Sequence, residues 1–386
     1  ARAHPAAQHL GTHGHGQGYT DLNFLIPEVI SDLRYRKGPY YADEGDFSAA
    51  GSARYTTYDT LDESFVEVSA GESGYLRGVA AGSFQTGPDT SLLLAIEAQA
   101  YDGPWDLDQD LEKLNGIAKL VHDSGPWHFN LTGMAYDSSW TATDQVPLRA
   151  IQNGDIGRFG YIDDDLGGET RRFGLTGNAS YAHADGAETK LAAYLVDYEL
   201  SLFSNFTYFL EDPVNGDEFE QRDERTYYGG SICHARDLGP RLKLRAGAEA
   251  RIDDISDVGL FRTAGRMRLS TVRQDSVDET SLAAWGEIEA QLTNTLRGTL
   301  GVRGDYFKGE VDARSLPANG GEADDTMLSP KVALAWRPAD GLELYANYGQ
   351  GFHSNDVRGA TIQIDPANGD PADPVPILVR AEGAEI

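Results

Sequence analysis

The chain is poor in cysteine. Cys233 is its single thiol among 386 residues, so no internal disulfide exists and no bridge framework indicates a compartment. Cys233 lies in the alternating run YYGGSICHA and reads as a packed thiol. No run of 18 apolar residues occurs, which excludes a transmembrane helix. It does not exclude a membrane barrel, whose strands are only half apolar. Basic residues are scarce, with 32 Lys and Arg against 61 Asp and Glu and a net charge of −29. That balance excludes nucleic acid as a partner, because phosphate binding needs a basic footprint. Catalytic motifs are missing too: there is no G-x-S-x-G, no phosphate-cradling Gly loop, no H-E-x-x-H and no spaced Cys pair. No enzyme activity, catalytic residue or cofactor is therefore expected. The opening ARAHPAAQHLG lacks a signal-peptide pattern, so either a signal was removed or the sequence begins inside a longer protein.

What the chain does contain is long alternating strands. In SLAAWGEIEAQL the residues Leu282, Ala284, Gly286, Ile288, Ala290 and Leu292 form one apolar face, opposite Glu287, Glu289 and Gln291. After Thr293–Thr295, LRGTLGVRGDYF sets Leu296, Leu300, Val302 and Tyr306 against Arg297, Thr299, Arg303 and Asp305. Period-two alternation over roughly 11 residues marks a strand with one apolar and one polar face. Strands of soluble proteins average about 5–6 residues, whereas barrel strands that cross a membrane need roughly 9–11. The predicted facing puts Leu296, Leu300, Val302, Leu244 and Ala248 outward to lipid. Arg297, Arg303, Arg245 and Glu249 then line a wet lumen, where charges escape the cost of a dry core.

Thirteen such segments are predicted, at about 64–70, 74–84, 90–101, 112–122, 126–138, 170–182, 188–203, 224–236, 241–252, 280–292, 296–308, 327–337 and 342–350. Their connections alternate. Tight ones are 85–89, 123–125, 183–187, 237–240, 293–295 and 338–341; long ones are 102–111, 139–169, 204–223, 253–279 and 309–326. Short turns on one rim and long loops on the other describe an outer-membrane barrel, and a Greek-key sandwich has no reason for that parity. The acids gather in the long connections, where they read as solvated loops; Asp163-Asp164-Asp165 lacks EF-hand spacing and reads the same way. Aromatics near strand ends, among them Tyr75, Tyr101, Trp127, Tyr181 and Trp336, suit interfacial girdles as well as ordinary strand preference.

The first sixty residues differ. Residues 1–20 hold four of the nine histidines and read as loop. Then come a helical turn opened by Pro27, a strand at Leu33–Lys37, a turn at Gly38-Pro39 and a strand near Ser52–Tyr58. This is a small mixed α/β piece.

Two stretches carry a family resemblance. HGHGQGYTDLNFLIPEVISDLRYRKGPYYADEGDFSAAGSARY resembles the end of the plug domain of TonB-dependent outer-membrane receptors, with Lys37-Gly38-Pro39 where Arg-Gly-Pro is commoner. LSPKVALAWRPADGLELYANYGQGFHSNDVRGAT looks like the family's mid-barrel hairpin, through Ser329-Pro330-Lys331, Tyr345, Tyr348, Gly349, Gly351 and Phe352. The expected fold is all-β: part of a transmembrane antiparallel up-and-down barrel with the remnant of an α/β plug. Residues 1–60 would be the plug's C-terminal part and 61–386 the first part of the barrel. The family's barrel has 22 strands, so the resemblance implies a fragment without the N-terminal coupling segment or the last strands.

The resemblance also implies function: active uptake of a scarce nutrient, such as siderophore-bound iron, across the Gram-negative outer membrane. TonB, energised from the inner membrane, would act through a segment upstream of this sequence. Lipid and lipopolysaccharide would surround the barrel, and a small extracellular ligand would bind between loops and plug. His13 and His15 at i, i+2 are a ligand-contact candidate near the plug apex, with Gln17 and Tyr19 beside them; no third ligand completes a metal set. Arg262, Arg266, Arg268 and Arg273 form a basic island that fits either anion capture or a strand extension pairing with acids. His353 and Asn355 would sit at the barrel mouth. Two alternatives stay open: a passive porin or adhesin without a plug, and a soluble all-β hydrolase using carboxylates such as Glu287 and Asp305.

Overall fold

Apolar residues face out of the main sheet and charged ones face in, the inverse of a soluble protein. The computed structural model describes residues 20–386. It opens with a 3-10 turn at Pro27–Val29, as the proline predicts, followed by β1 (Ile30–Lys37) and β2 (Gly51–Thr57), paired antiparallel as a separate two-stranded sheet. Gly38, at φ 70, makes the turn after β1 that a side chain would strain.

The rest is a 14-stranded antiparallel sheet in sequence order, with β3 and β16 at its edges. Its strands are β3 (Phe65–Ala70), β4 (Leu76–Gly87), β5 (Thr90–Tyr101), β6 (Leu111–Ser124), β7 (Trp127–Thr141), β8 (Gly167–Ala182) and β9 (Glu188–Ser204). They continue as β10 (Phe219–Asp237), β11 (Leu242–Ala264), β12 (Met267–Gln291), β13 (Leu296–Ala313), β14 (Gly321–Ala339), β15 (Leu342–Ser354) and β16 (Leu378–Glu385). Two short α-helices, α1 (Leu148–Asn153) and α2 (Val357–Ala360), and a 3-10 turn at Pro317–Asn319 interrupt them among the described residues. Each strand pairs with its sequence neighbour, an up-and-down meander.

The facing follows the alternation. Leu300 is 65% exposed, while its near neighbour Arg303 is 3% exposed on the opposite face. In β5, Ile96 is 54% exposed and Glu97 is 1% exposed. Rings collect at both ends of the strands. Tyr75 and Tyr101 meet at 6.0 Å beside the long-loop rim, and Trp127 packs on Phe129 and Tyr181 beside the short-turn rim.

Three features differ from the sequence prediction. Residues 253–279 are not a long loop: β11 and β12 run on to a two-residue turn at Gly265 and Arg266, both at φ 58. Val258, Phe261 and Val277 are buried along this extension, so it has an apolar face of its own. The connections after β9 and β13 shorten similarly, to 205–218 and 314–320. The strand β16 is one more than the thirteen predicted. Residues 355–377 lead into it, and Val357 and Ile377 pack with Phe307, Val311 and Phe352.

Candidate functional site

The small sheet lies against the inner face of the large one, and the contacts begin with apolar burial. Ile26 and Val29 are buried with Val79, Ala81, Leu93, Ala95 and Ile117 of β4, β5 and β6. Around that seat the wall supplies charges. Arg77 grips Glu28 with two bonds, of 2.6 and 2.9 Å, and reaches Glu97 at 2.5 Å. The Lys119 ammonium donates to the Thr57 and Tyr58 carbonyls at 3.1 Å each, and Asn115 Nδ2 donates to the Asn23 carbonyl.

On the far side, the loop between β1 and β2 meets β14, β15 and β16. Lys331 Nζ donates to the Pro39 carbonyl at 2.8 Å. A Cβ on Gly349 would sit 2.1 Å from that carbonyl oxygen, and one on Gly383 2.8 Å from the Pro39 ring. Only glycine permits this approach. The Asp46 carboxylate accepts from Ser354 N at 2.7 Å and from Ser354 Oγ at 2.5 Å. Burial pushes the Asp46 carboxyl up to about 6 against those bonds.

Between the two sheets is a polar cavity of about 890 Å³. Arg36 Nη1 donates to Asp43 at 2.7 Å and to Glu44 at 3.0 Å, and Arg54 donates to Glu44 at 2.7 Å. Arg245 of β11 donates to Asp43 at 2.9 Å and to Glu287 at 3.2 Å, its guanidinium 5.5 Å from the Trp285 ring centre. Burial alone would raise the Asp43 carboxyl; Arg36, Arg54 and Arg245 outweigh it and hold it at about 2. Arg303 bonds Asp305 at 2.8 Å and also Glu249. Farther toward the long-loop rim, Arg225 is 1% exposed and bonds Asp223 through Nε and Nη2, with Asp253 at 3.3 Å. Each of these arginines has its carboxylate, which is what lets the charge sit away from bulk water.

The predicted residues do not assemble into one site. His13, His15, Gln17 and Tyr19 lie outside the described residues. Arg266 donates to the carbonyls of Asp165 and Leu166, and Arg268 forms a fork with Glu220 at 2.6 and 2.8 Å while stacking on Phe261. This is the strand-extension pairing of the two readings. His353 lies 5.9 Å from the Phe47 ring, and Asn355 Nδ2 donates to the Pro376 carbonyl. Arg34, on the strand side predicted to face lumen acids, pairs instead with Asp32, and Glu287 is taken by Arg245. The sequence reading missed Asp43, Asp46, Lys331 and Arg77 as contacts. Alternation places a residue on a face but does not say which residue from a distant segment meets it.

A β-meander with an apolar outside, aromatic rims and a charged inner face, against which a 3-10 turn and a two-stranded sheet pack, has the layout of an outer-membrane barrel. The chain belongs to the TonB-dependent receptor family: the family described as "TonB dependent receptor-like, beta-barrel" matches residues 100–376. It is accordingly a protein of the Gram-negative outer membrane. No curated protein matches the chain. Among solved structures it is similar to the copper transporter OprC, at 16% identity and TM-score 0.66, over 89% of this chain and 53% of that one. The ferric yersiniabactin uptake receptor FyuA from Yersinia pestis is similar at 15% identity and TM-score 0.65, over 83% and 52%. The alcaligin outer membrane receptor FauA from Bordetella pertussis follows at 13% and 0.61, over 85% and 50%. The chain thus spans about half the length of the structures it matches, and at these identities the likeness is one of fold.

Proposed function

We propose that the chain is the wall, and residues up to about 60 the plug end, of a TonB-dependent active transporter for a scarce nutrient such as siderophore-bound iron. One observation carries the reading. The segment 20–58 packs against the inner face of the large sheet and is tied to it through Glu28–Arg77, Asp43–Arg245 and Asp46–Ser354. A passive porin or adhesin has no use for such an occupant. The charge-lined space of about 890 Å³ beside it then becomes a path only when the occupant moves, which is work for an external pull. Polar ion pairs facing water suit this role, since they re-form with water when separated, whereas a dry apolar interface would resist. The copper transport and ferric yersiniabactin uptake named for OprC and FyuA favour a metal or metal chelate as cargo. Ligand contacts are assigned to the long-loop rim, where Arg266, Arg268, His353 and Asn355 belong to the mouth.

The test uses the intact receptor in cells. Cysteines replacing Asp43 and Arg245, joined by a short bismaleimide, should abolish uptake of iron-loaded siderophore, and a protonophore should abolish it in the uncrosslinked receptor. Uptake that survives both treatments would mean passive diffusion.

A further inference from the structure

On the outer face of the wall, beside the short-turn rim, five rings stand in a row. Phe129 stacks on Trp127 at 5.2 Å and Trp127 meets Tyr181 at 4.7 Å. Tyr181 meets His183 at 4.6 Å, and His183 meets His234 at 5.5 Å. The pleat puts the row outside: Thr189 and His234 lie two residues from Leu191 and Ile232, which are 40% and 47% exposed on the lipid face. Interfacial belts use Trp and Tyr, whose rings sit at headgroup level. Here the belt ends in two imidazoles that share one hydroxyl. His183 Nε2 lies 2.8 Å and His234 Nδ1 2.9 Å from Thr189 Oγ1, so each ring is fixed through one nitrogen and keeps the other for a further partner. Beside them Arg236 pairs with Asp185 at 3.1 Å, both side chains half exposed. An exposed pair of this kind is held weakly, and its members exchange partners at little cost.

Away from the rim, the same face carries an apolar groove of about 410 Å³ across β6 to β9, lined by Leu120, Phe129, Leu131, Gly177, Ala179 and Leu191. Ligand sites span roughly 300–1,000 Å³. Groove and belt are continuous. Ala179 and Leu191 are paired at the groove's edge, and Tyr181 and Thr189 are the next pair on that face, with His234 beside Thr189. A site that is apolar at one end and hydrogen-bonding at the other matches an amphiphile, and the wall faces lipid. The charges select its headgroup. A guanidinium binds a phosphate diester through charge-assisted hydrogen bonds, and the neighbouring carboxylate suits an ammonium. An anionic headgroup without an ammonium would set its charge against Asp185.

We propose that this face binds a zwitterionic aminophospholipid, with an acyl chain in the groove and the headgroup among Arg236, Asp185, His183 and His234.

The experiment is native mass spectrometry of the intact, delipidated receptor in detergent, titrated with dioleoylphosphatidylethanolamine or dioleoylphosphatidylglycerol. One phosphatidylethanolamine should be retained, at lower concentration than phosphatidylglycerol. Arg236→Gln should weaken its retention by about tenfold, the scale of one charged hydrogen bond. Gly177→Leu should weaken it as well: a Cβ there meets only Leu131, at 3.8 Å, so the new side chain occupies the groove without displacing the wall. Arg337→Gln, which breaks an exposed pair with Glu343 at the same rim but away from the groove, should change nothing. No retained lipid, equal retention of the two lipids, wild-type binding by Gly177→Leu, or equal effects of Arg236→Gln and Arg337→Gln would overturn the proposal.

Discussion

Asp43 accepts a 2.9 Å hydrogen bond from Arg245 across 202 residues of sequence, and this bond joins the small sheet to the barrel wall. Three guanidiniums serve one buried carboxylate, which therefore stays ionised down to about pH 2.

The first prediction concerns this carboxylate. Its folded pKa lies below the unfolded value near 3.9, so its contribution is present above about pH 4 and lost as the pH falls through about 2. The shift corresponds to roughly 2 kcal/mol. Asp43→Asn should raise the protease sensitivity of residues 38–50 at neutral pH by roughly tenfold, equally at pH 5 and pH 8. A variant as resistant as the wild type would show that the three arginines do not hold the segment through Asp43.

Asp46 predicts the opposite sign. Its folded carboxyl is raised to about 6, so it favours the seated loop when protonated, and that contribution is lost as the pH rises through 6. The size is at most about 3 kcal/mol, and less where lumen water screens it. Hydrogen exchange of residues 43–50, corrected for intrinsic rates, should slow between pH 7.5 and pH 5. Asp46→Asn should remove that difference.

Glycines on the same strand system divide by face. Gly349→Leu would drive a side chain into the Pro39 carbonyl, whereas a Cβ on Gly286 meets nothing within 4 Å. Gly349→Leu should unseat the Gly38-Pro39 turn, exposing segment 20–58 to protease, at an overpacking cost of about 1–3 kcal/mol. Gly286→Leu should leave that segment protected. Equal protection in both would place the turn elsewhere.

Facing predicts an asymmetry in membrane folding. Leu300→Arg should cost about 2–4 kcal/mol, because it places a charge on the lipid face. Thr299→Arg, one residue along and facing the lumen, should cost much less. A folding titration of the intact receptor into bilayers measures both, and equal costs would reject the barrel facing.

Much of this protein is written in period-two alternation. Leu300 against Arg303, and Ile96 against Glu97, are assigned to opposite faces by spacing alone, because the pleat leaves a side chain no third direction. Strand length, rim parity and the proline and glycine turns around Pro27 and Gly38 follow from equally local rules. The same local signals fail at residues 253–279, whose acids read as loop. They form strand because Val258, Phe261 and Val277 find buried partners and Arg268 finds Glu220, all supplied by other strands. Only tertiary structure decided that Arg245 meets Asp43, that Lys331 reaches Pro39, and that His183 and His234 share Thr189. Such contacts depend on how a segment seats inside a curved wall. A carboxylate's sign and spacing leave it many possible partners, and the packing of the two sheets selects one.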